Sequence, residues 1–512
     1  MVQEELFKLQ NGSDIRGIAV EINKGNKVNL TYDVVYCIAS AFALWLSNKK
    51  NIDTKKLKIS IGMDSRISGP RIKKAAIEGM INRGVSVFDF NLASTPSMFM
   101  STITKGYEYD GAIMVTASHL PFDRNGLKFF TNQGGLEPKD IKDILNIASC
   151  KDEHKADKKG SITEVDFMSL YSKILVDKIR NEVNKSQNYN EPLKGFKIVV
   201  DAGNGVGGFF VDKVLKPLGA DTSGSQFLEP DGYFPNHIPN PENKDAIDSI
   251  SRAVVENNAD FGIIFDTDVD RAGAVASNGE EINRNRLIAL VSSIVLEEHP
   301  NSIIVTDSVT STGLKYFIEN ELKGIHHRFK RGYKNVINEA IRLNEEGKES
   351  YLAMETSGHG ALKENYFLDD GAYLITKILI KMAKLKNEED KTIETLIENL
   401  KEPAESIEFR MKIGCEDFKG YGESIIKNIK DFAANKDGWV IAPDNYEGIR
   451  VYFDKNNGDG WFLLRMSLHE PLMPLNIESD SNGGVKIIAS NIFEFLKAYD
   501  KLDVGSIYEF IK

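Results

Sequence analysis

Cysteine is nearly absent from this chain: Cys37, Cys150 and Cys415 are the three in 512 residues, far apart and without a C-x-x-C spacing. Cysteines so placed argue against a disulfide framework or a structural zinc site, and a reducing compartment fits. Long apolar runs are missing too, since no window of ~18 apolar residues exists that would cross a bilayer. The opening MVQEELFKLQ has neither the basic start nor the apolar middle of an export signal. A cytoplasmic protein is expected. Basic charge is also short: Lys+Arg number 64 against 75 Asp+Glu, a formal net charge of −11. That balance argues against nucleic acid or an anionic membrane as the main partner. It leaves phosphorylated small molecules open, because local basic clusters decide those.

What is present is a soluble-globular mixture, 41% hydrophobic and 27% charged. Domains of ~100–200 residues put about three or four in a chain of this length. One opening recurs. KLKISIGMDSRISG ends an apolar run at Asp64, FKIVVDAGNGVGG ends one at Asp201, and NSIIVTDSVTSTG ends one at Asp307. Each reads as a β-branched strand, an aspartate, a Gly/Ser-rich turn and then a helix such as RIKKAAIEGMINRG or FFVDKVLKPLG. Strands alternating with helices predict α/β units on mainly parallel sheets, and three copies predict three related domains. From about Pro403 the strands IEFRMKIG, WVIAPDNYEGIRVYF and GWFLLRMSLHE predict an α+β domain. The polar stretch Ser149–Ser161 and the positions near Asn283–Arg286 and Lys401–Pro403 mark the joins. The expected domains are 1–155, 156–285, 286–402 and 403–512.

Four loops carry chemistry. In TASHLPFDRNGLK, Ser118 is not in the G-x-S-x-G of a hydrolase elbow. In extended backbone Ser118 and His119 point to opposite faces, so His119 makes an awkward base for Ser118. In FGIIFDTDVDRAG, Asp266, Asp268 and Asp270 crowd three carboxylates together, which calls for a cation. An EF-hand would need Gly at its sixth place and Glu at its twelfth, where Arg271 and Ser277 stand. A few oxygen ligands suit Mg²⁺. In METSGHG, Glu355, Ser357 and His359 surround glycines, a composition suited to sugar hydroxyls. In RMSLHEP, Arg465 and Ser467 at alternate positions suit a phosphate, with His469 assisting. The G-x-G-x-x-G at Gly203–Gly208, with Asp221 beyond it, lacks a convincing second strand, and tight strand–helix packing explains it better than a dinucleotide.

These four loops, in this order, resemble the α-D-phosphohexomutase superfamily, of the phosphomannomutase/phosphoglucomutase kind. GSDIRG, GMDSRISG, ASTPSM and PDGYFPNHIPNPEN match it as well. The resemblance implies three mixed-sheet α/β domains and a C-terminal α+β domain around a central cleft. It implies a hexose phosphate as substrate, Mg²⁺ as cofactor and a hexose 1,6-bisphosphate as activator. By the same resemblance Ser118 carries a phosphoryl group, and Mg²⁺ is held by Ser118, Asp266, Asp268 and Asp270. Arg16, Arg66 and Arg271 would brace the phosphoserine and its surroundings. His119, Lys128 and Lys334, in RGYKNVI, would be the acid/base candidates. Glu355 and Ser357 would grip the sugar, and Arg465 and Ser467 the phosphate that is not transferred.

The sequence departs from the family where Leu120 replaces an Asn and where LHEP replaces G-T-x-P, which puts His469 in place of a Thr. Mannose phosphate, with glucose phosphate beside it, is the preferred reading. A phosphoglucosamine mutase, a Mg²⁺-dependent sugar phosphatase and a non-catalytic sugar-phosphate-binding protein are the alternatives.

Overall fold

The three strand–aspartate openings form the strands Lys58–Met63, Ile198–Asp201 and Ile303–Thr306, each ending at its aspartate or one residue before it. In the computed structural model the described residues are 3–22, 27–150, 156–184, 188–388, 391–467 and 470–512. The chain divides into two compact units, Met1–Asn283 with Ser357–Thr395, and Arg284–Thr356 with Leu396–Lys512.

The first unit opens on a mixed sheet. Its strands lie in the order Gln10–Asn11, Asp14–Ile18, Arg124–Thr131, Gly111–Val115, Lys58–Met63, Ser86–Leu92 and Ile162–Glu164. Lys58–Met63 pairs in parallel with Gly111–Val115 and with Ser86–Leu92. Arg124–Thr131 returns antiparallel, opposing Lys128 to Met114 on one side and Gly126 to Arg16 on the other. That return brings the serine loop, Arg16 and Lys128 to one end of the sheet. The strand GAIMV is buried throughout, because helices cover both faces of its parallel neighbours.

A second sheet pairs Ile198–Asp201 in parallel with Phe261–Phe265, which turns back antiparallel into Ala272–Ala276 and then Glu281–Ile282. The acidic loop is the hairpin between Phe265 and Ala272. Helix Lys244–Glu256, capped by the Asn243 side chain on Ala246 N, lays Ile250 and Val254 on the apolar face made by Val199, Ile264 and Val275. The helix expected over FFVDKVLKPLG forms with irregular turns. Val211–Leu215 is wound wide, as a π-helix, and Lys216–Leu218 tightly, as a 3₁₀ turn ending at Gly219. Pro217 has no N–H to donate to an α-helical ladder. The antiparallel pair Gly360–Leu362 and Leu368–Asp369 and the helix Gly371–Glu388 also belong to this unit. That helix packs on Phe167–Val183, and Tyr171 donates to Asp370 at its start, at 2.7 Å.

In the second unit, Ile303–Thr306 lies between Ile325–Arg328 and Ser350–Met354, all parallel. A five-stranded antiparallel sheet follows, in the order Glu405–Lys412, Leu472–Ser479, Gly460–Leu464, Ile449–Phe453, Trp439–Ile441. Its core is filled from within, by residues such as Phe409, Ile425, Phe462, Ile477 and Ile488. The fold class is therefore α/β with a C-terminal α+β part, as the pattern of periods implied. No helix among the described residues is long and apolar enough to cross a membrane.

Candidate active site

The serine loop leaves its strand at Val115 and turns at once. Ser118 has φ 49, a left-handed conformation that costs an L-residue roughly 1–2 kcal/mol. Its neighbours hold it there. Ser118 N donates to Thr116 Oγ1 at 2.9 Å, and the buried Arg66 spends its guanidinium on the loop's carbonyls. Arg66 reaches the Ser118 carbonyl, Leu120 O at 2.6 Å, Pro121 O at 2.7 Å and Arg124 O at 3.0 Å, while its Nε bonds Asp64 at 3.2 Å. Arg66 thus braces the loop's backbone. Arg16 does the same from the other side, donating to the Thr116 carbonyl and to Asp14 Oδ2. Leu120 takes part through its main chain, so the missing Asn side chain is not used in this bracing.

The left-handed backbone also corrects the expectation that Ser118 and His119 face apart, for Ser118 Oγ lies 3.4 Å from His119 Nδ1. Burial first, then the charges of Arg271 and His359, push the His119 pKa down to about 2, and the ring is neutral.

Ser118 Oγ donates to Asp266 Oδ2 at 2.9 Å and receives Arg271 Nη2 at 3.3 Å. Arg271 in turn bonds the same Asp266 oxygen through Nε at 3.3 Å and Nη2 at 3.2 Å. Asp266, Asp268 and Asp270 are all buried and bring their oxygens within 4.8 Å of one another. Burial first, then Asp270 and Asp268, raise the Asp266 pKa well above the carboxylate range. Lys128 Nζ bridges the other two, 3.3 Å from Asp268 Oδ2 and in contact with Asp270 Oδ2. Burial opposes its charge, but Asp268, Asp270 and Asp14 outweigh burial and raise the Lys128 pKa well above normal.

Asp268 Oδ1 and Asp270 Oδ1 are buried with no hydrogen-bond partner among the described residues. Buried carboxylate oxygens left so are costly, and a hard divalent cation satisfies them. The donor set fits Mg²⁺.

Three contributors, Thr95, Asp369 and Asn240, escaped the sequence reading. Thr95 Oγ1 donates to Asp268 Oδ2 at 2.5 Å while Thr95 N donates to Asp268 O at 2.9 Å, so ASTPSM positions the acidic loop. His359 pairs backbone with Arg271 and bonds the Asp369 carboxylate through Nδ1. Burial lowers the His359 pKa, but Asp369 and Asp270 overcome it and lift it to about 9. Asn240 accepts from Arg271 Nη1 at 3.3 Å. Thr95 and Asn240 sat in motifs that matched without a role, whereas Asp369 gave no signal. Ser357 is buried in the turn before Gly360–Leu362, in this same unit.

The second unit gathers another cluster. Glu355 is buried and its Oε1 accepts from Gly332 N at 2.6 Å. Lys334 lies in the first turn of the helix Tyr333–Glu345 that follows. Asp307 Oδ2 accepts from Thr356 Oγ1 at 2.8 Å and stands 4.0 Å from Arg331 Nε. Burial and then Glu355 push the Asp307 pKa up to about 7 against the pull of Arg331. Arg465 is buried, with Nε unpartnered among the described residues. Burial first and then the like charge of Arg331 lower its pKa. Two guanidiniums sharing a neighbourhood are what a phosphate dianion needs. Ser467 Oγ accepts from Glu470 N at 3.3 Å, and His469 lies outside the described residues.

Comparison with known proteins gives a consistent picture. The family models described as "Phosphoglucomutase/phosphomannomutase, alpha/beta/alpha" domains I, II and III match residues 8–155, 173–279 and 283–403. The chain is 29% identical over 491 residues to the phosphoglucomutase of Neisseria gonorrhoeae, covering 95% of each. It is 28% identical over 488 residues to the phosphomannomutase/phosphoglucomutase of Pseudomonas aeruginosa, again covering 95% of each. A solved phosphoglucomutase/phosphomannomutase family protein from Burkholderia thailandensis superposes with TM-score 0.78 at 26% identity, covering 98% of both chains. By its three matched domains, its fold and its full-length relatives, this chain belongs to the phosphoglucomutase/phosphomannomutase family of the α-D-phosphohexomutase superfamily.

Proposed function

We propose that the protein interconverts hexose 1-phosphate and hexose 6-phosphate, with mannose and glucose as the sugars, using Ser118 as the phosphoryl carrier. The observation that carries this reading is the hydroxyl of Ser118 set 2.9 Å from Asp266 and 3.3 Å from Arg271 in a buried, strained turn. The names phosphoglucomutase and phosphomannomutase/phosphoglucomutase among its relatives support both sugars.

In the proposed cycle the bond between Ser118 Oγ and phosphorus breaks as a sugar hydroxyl bonds to the same phosphorus. The sugar oxygen gives up its proton and Oγ gains one. The resulting hexose 1,6-bisphosphate then returns its other phosphoryl group to Ser118. Mg²⁺ held by Asp266, Asp268, Asp270 and the Ser118 phosphoryl group supplies charge neutralisation when bound. Arg271 orients Oγ and meets the charge on the transferred oxygens. His119, neutral and 3.4 Å from Oγ, can hydrogen-bond to it, but with its pKa pushed down to about 2 it is a weak base, and Lys128 keeps its proton and acts as a hydrogen-bond donor and fixed charge. Lys334 is a further proton-carrier candidate, and hexose 1,6-bisphosphate is the activator that loads Ser118. Glu355 and Ser357 are assigned to sugar hydroxyls, and Arg465 and Ser467 to the phosphate that stays in place.

The test is initial rates on mannose, glucose and glucosamine 1-phosphates with bisphosphate activator and Mg²⁺, for the wild type and Ser118→Ala. Ser118→Ala should lose roughly 10³-fold or more of kcat, gain no phosphoryl group by intact mass, and melt as the wild type does. Dominant glucosamine turnover would overturn the choice of sugar. Phosphate release matching substrate loss would make it a phosphatase, and full activity in Ser118→Ala would end the carrier role.

A further inference from the structure

The segment Pro230–Asn243 runs beside Arg66 and Arg271, two of the arginines that steady the Ser118 loop. A Cβ on Gly232 would collide with the backbone at Ser65 and Ile67, so the chain passes there in direct contact with the Arg66 loop. The Phe234 ring stacks 5.2 Å from the Arg66 guanidinium. Further on, Asn240 Oδ1 accepts from Arg271 and Glu242 lies 3.9 Å from the same nitrogen. The segment has no helix or strand of its own to hold these positions.

Its anchor is in the middle. His237 Nε2 stands 3.0 Å from each oxygen of Asp201, and Nδ1 stands 3.0 Å from Ile238 O. Both ring nitrogens face acceptors, which is the pattern of an imidazolium. The two side chains are 2% and 0% exposed. Asp201, at a strand end, is itself held by Gly203 N at 2.8 Å and Gln226 Nε2 at 2.7 Å. The glycine fingerprint completes the seat. Gly203 has φ 51 and a Cβ on it would meet Pro239 at 2.9 Å. Asn204 receives Asp231 N on its carbonyl at 2.9 Å and Asn236 Nδ2 on its side chain at 2.7 Å. Asp201 occupies the place that Asp64 fills beside Arg66 and Asp307 fills beside Thr356, one strand-end carboxylate per repeat.

We propose that Asp201 and His237 are positioning residues of the phosphoryl-transfer centre: their pair fixes Pro230–Asn243, and that segment aligns Arg66 and Arg271 on Ser118. The proposal rests on Ser118 being the phosphoryl carrier. Burial opposes the His237 charge, but Asp201, the Ile238 carbonyl and the more distant Asp245 outweigh it and raise the pKa. The pair's contribution is full below the unfolded value of about 6.5 and is lost as pH rises through the higher folded value.

A double-mutant cycle on the full chain tests this. Asp201→Asn should lower kcat about tenfold or more with KM changed less than about twofold. Asn240→Ala should act in the same direction, and the double variant should be no worse than the poorer single. His237→Gln, whose amide can still donate to Asp201, should keep most of kcat and lose the wild type's fall in melting temperature as pH rises through the His237 folded pKa. Additive losses, or a KM rise at constant kcat, overturn the proposal. His237→Ala runs the same cycle should Asp201→Asn not fold. If the wild type turns over no hexose phosphate, the carrier reading fails on its own. Hydrogen exchange at residues 231–242 then decides the anchor, which unchanged exchange in Asp201→Asn overturns.

Discussion

Lys128 lies against the Oδ2 atoms of Asp268 and Asp270 and leaves their unpartnered Oδ1 atoms for a cation. Lys128→Met leaves those buried carboxylates without compensation, at a cost of roughly 3–5 kcal/mol. Thermal melts should show a large loss in chelator and a partial recovery with Mg²⁺, and equal melting in both would refute the balance of charge described for this site. Asp307 gives a second residue-scale outcome. Its folded pKa, about 7, lies above the unfolded ~3.9, so the folded state keeps a proton that the unfolded chain has lost. Stability should fall as pH rises between those values, by about 1.4 kcal/mol per unit at most. Asp307→Asn should lose less melting temperature from pH 4 to 8 than the wild type, and parallel curves would sink the assignment. Single residues were legible unevenly. The three aspartates of DTDVDR were readable because alternate carboxylates at a strand end have few uses. Arg66 was readable as a brace, but its dependence on four carbonyls was not, because a carbonyl has no letter of its own.

At the scale of elements, strands and helices were plain because apolar periodicity is written in the side chains themselves, and the opening repeated at Asp64, Asp201 and Asp307 gave the α/β units. Loops were harder. The pairing of Thr95 with Asp268, 173 residues apart, depends on the packing of two domains and not on local spacing. The glycine loop after Asp201, read from the sequence as tight packing and not as a dinucleotide site, also packs against the acidic hairpin. Gly205 is there for a close approach, since a Cβ would meet Thr267 O at 2.6 Å and push on the acidic hairpin. Gly205→Ala should therefore weaken Mg²⁺ activation, raising the metal concentration for half-maximal rate several-fold, while the melting temperature falls only slightly. A variant that melts far lower with an unchanged metal requirement would assign the glycine to packing alone. The π-helical winding of Val211–Leu215 had no sequence signal beyond Pro217.

At the scale of the molecule, the chain enters and leaves the first unit more than once. Residues 357–395 complete that unit after 284–356 have contributed to the other. They supply His359 and Asp369 to the serine site and the helix that packs on Phe167–Val183. A fragment of residues 1–283 should therefore fail to show cooperative unfolding, whereas 403–512, with a core drawn from its own residues, should fold alone by circular dichroism. A stable, cooperative 1–283 fragment would contradict this.

The same interleaving sets a clock during synthesis. After residue 283 leaves the ribosome, about 110 more must follow before the first unit has all its parts, on the order of 10 s at roughly 5–20 residues per second. Throughout that interval the face of Phe167–Val183 that receives Gly371–Glu388 stays uncovered, so the pace of synthesis limits how soon the first unit can close.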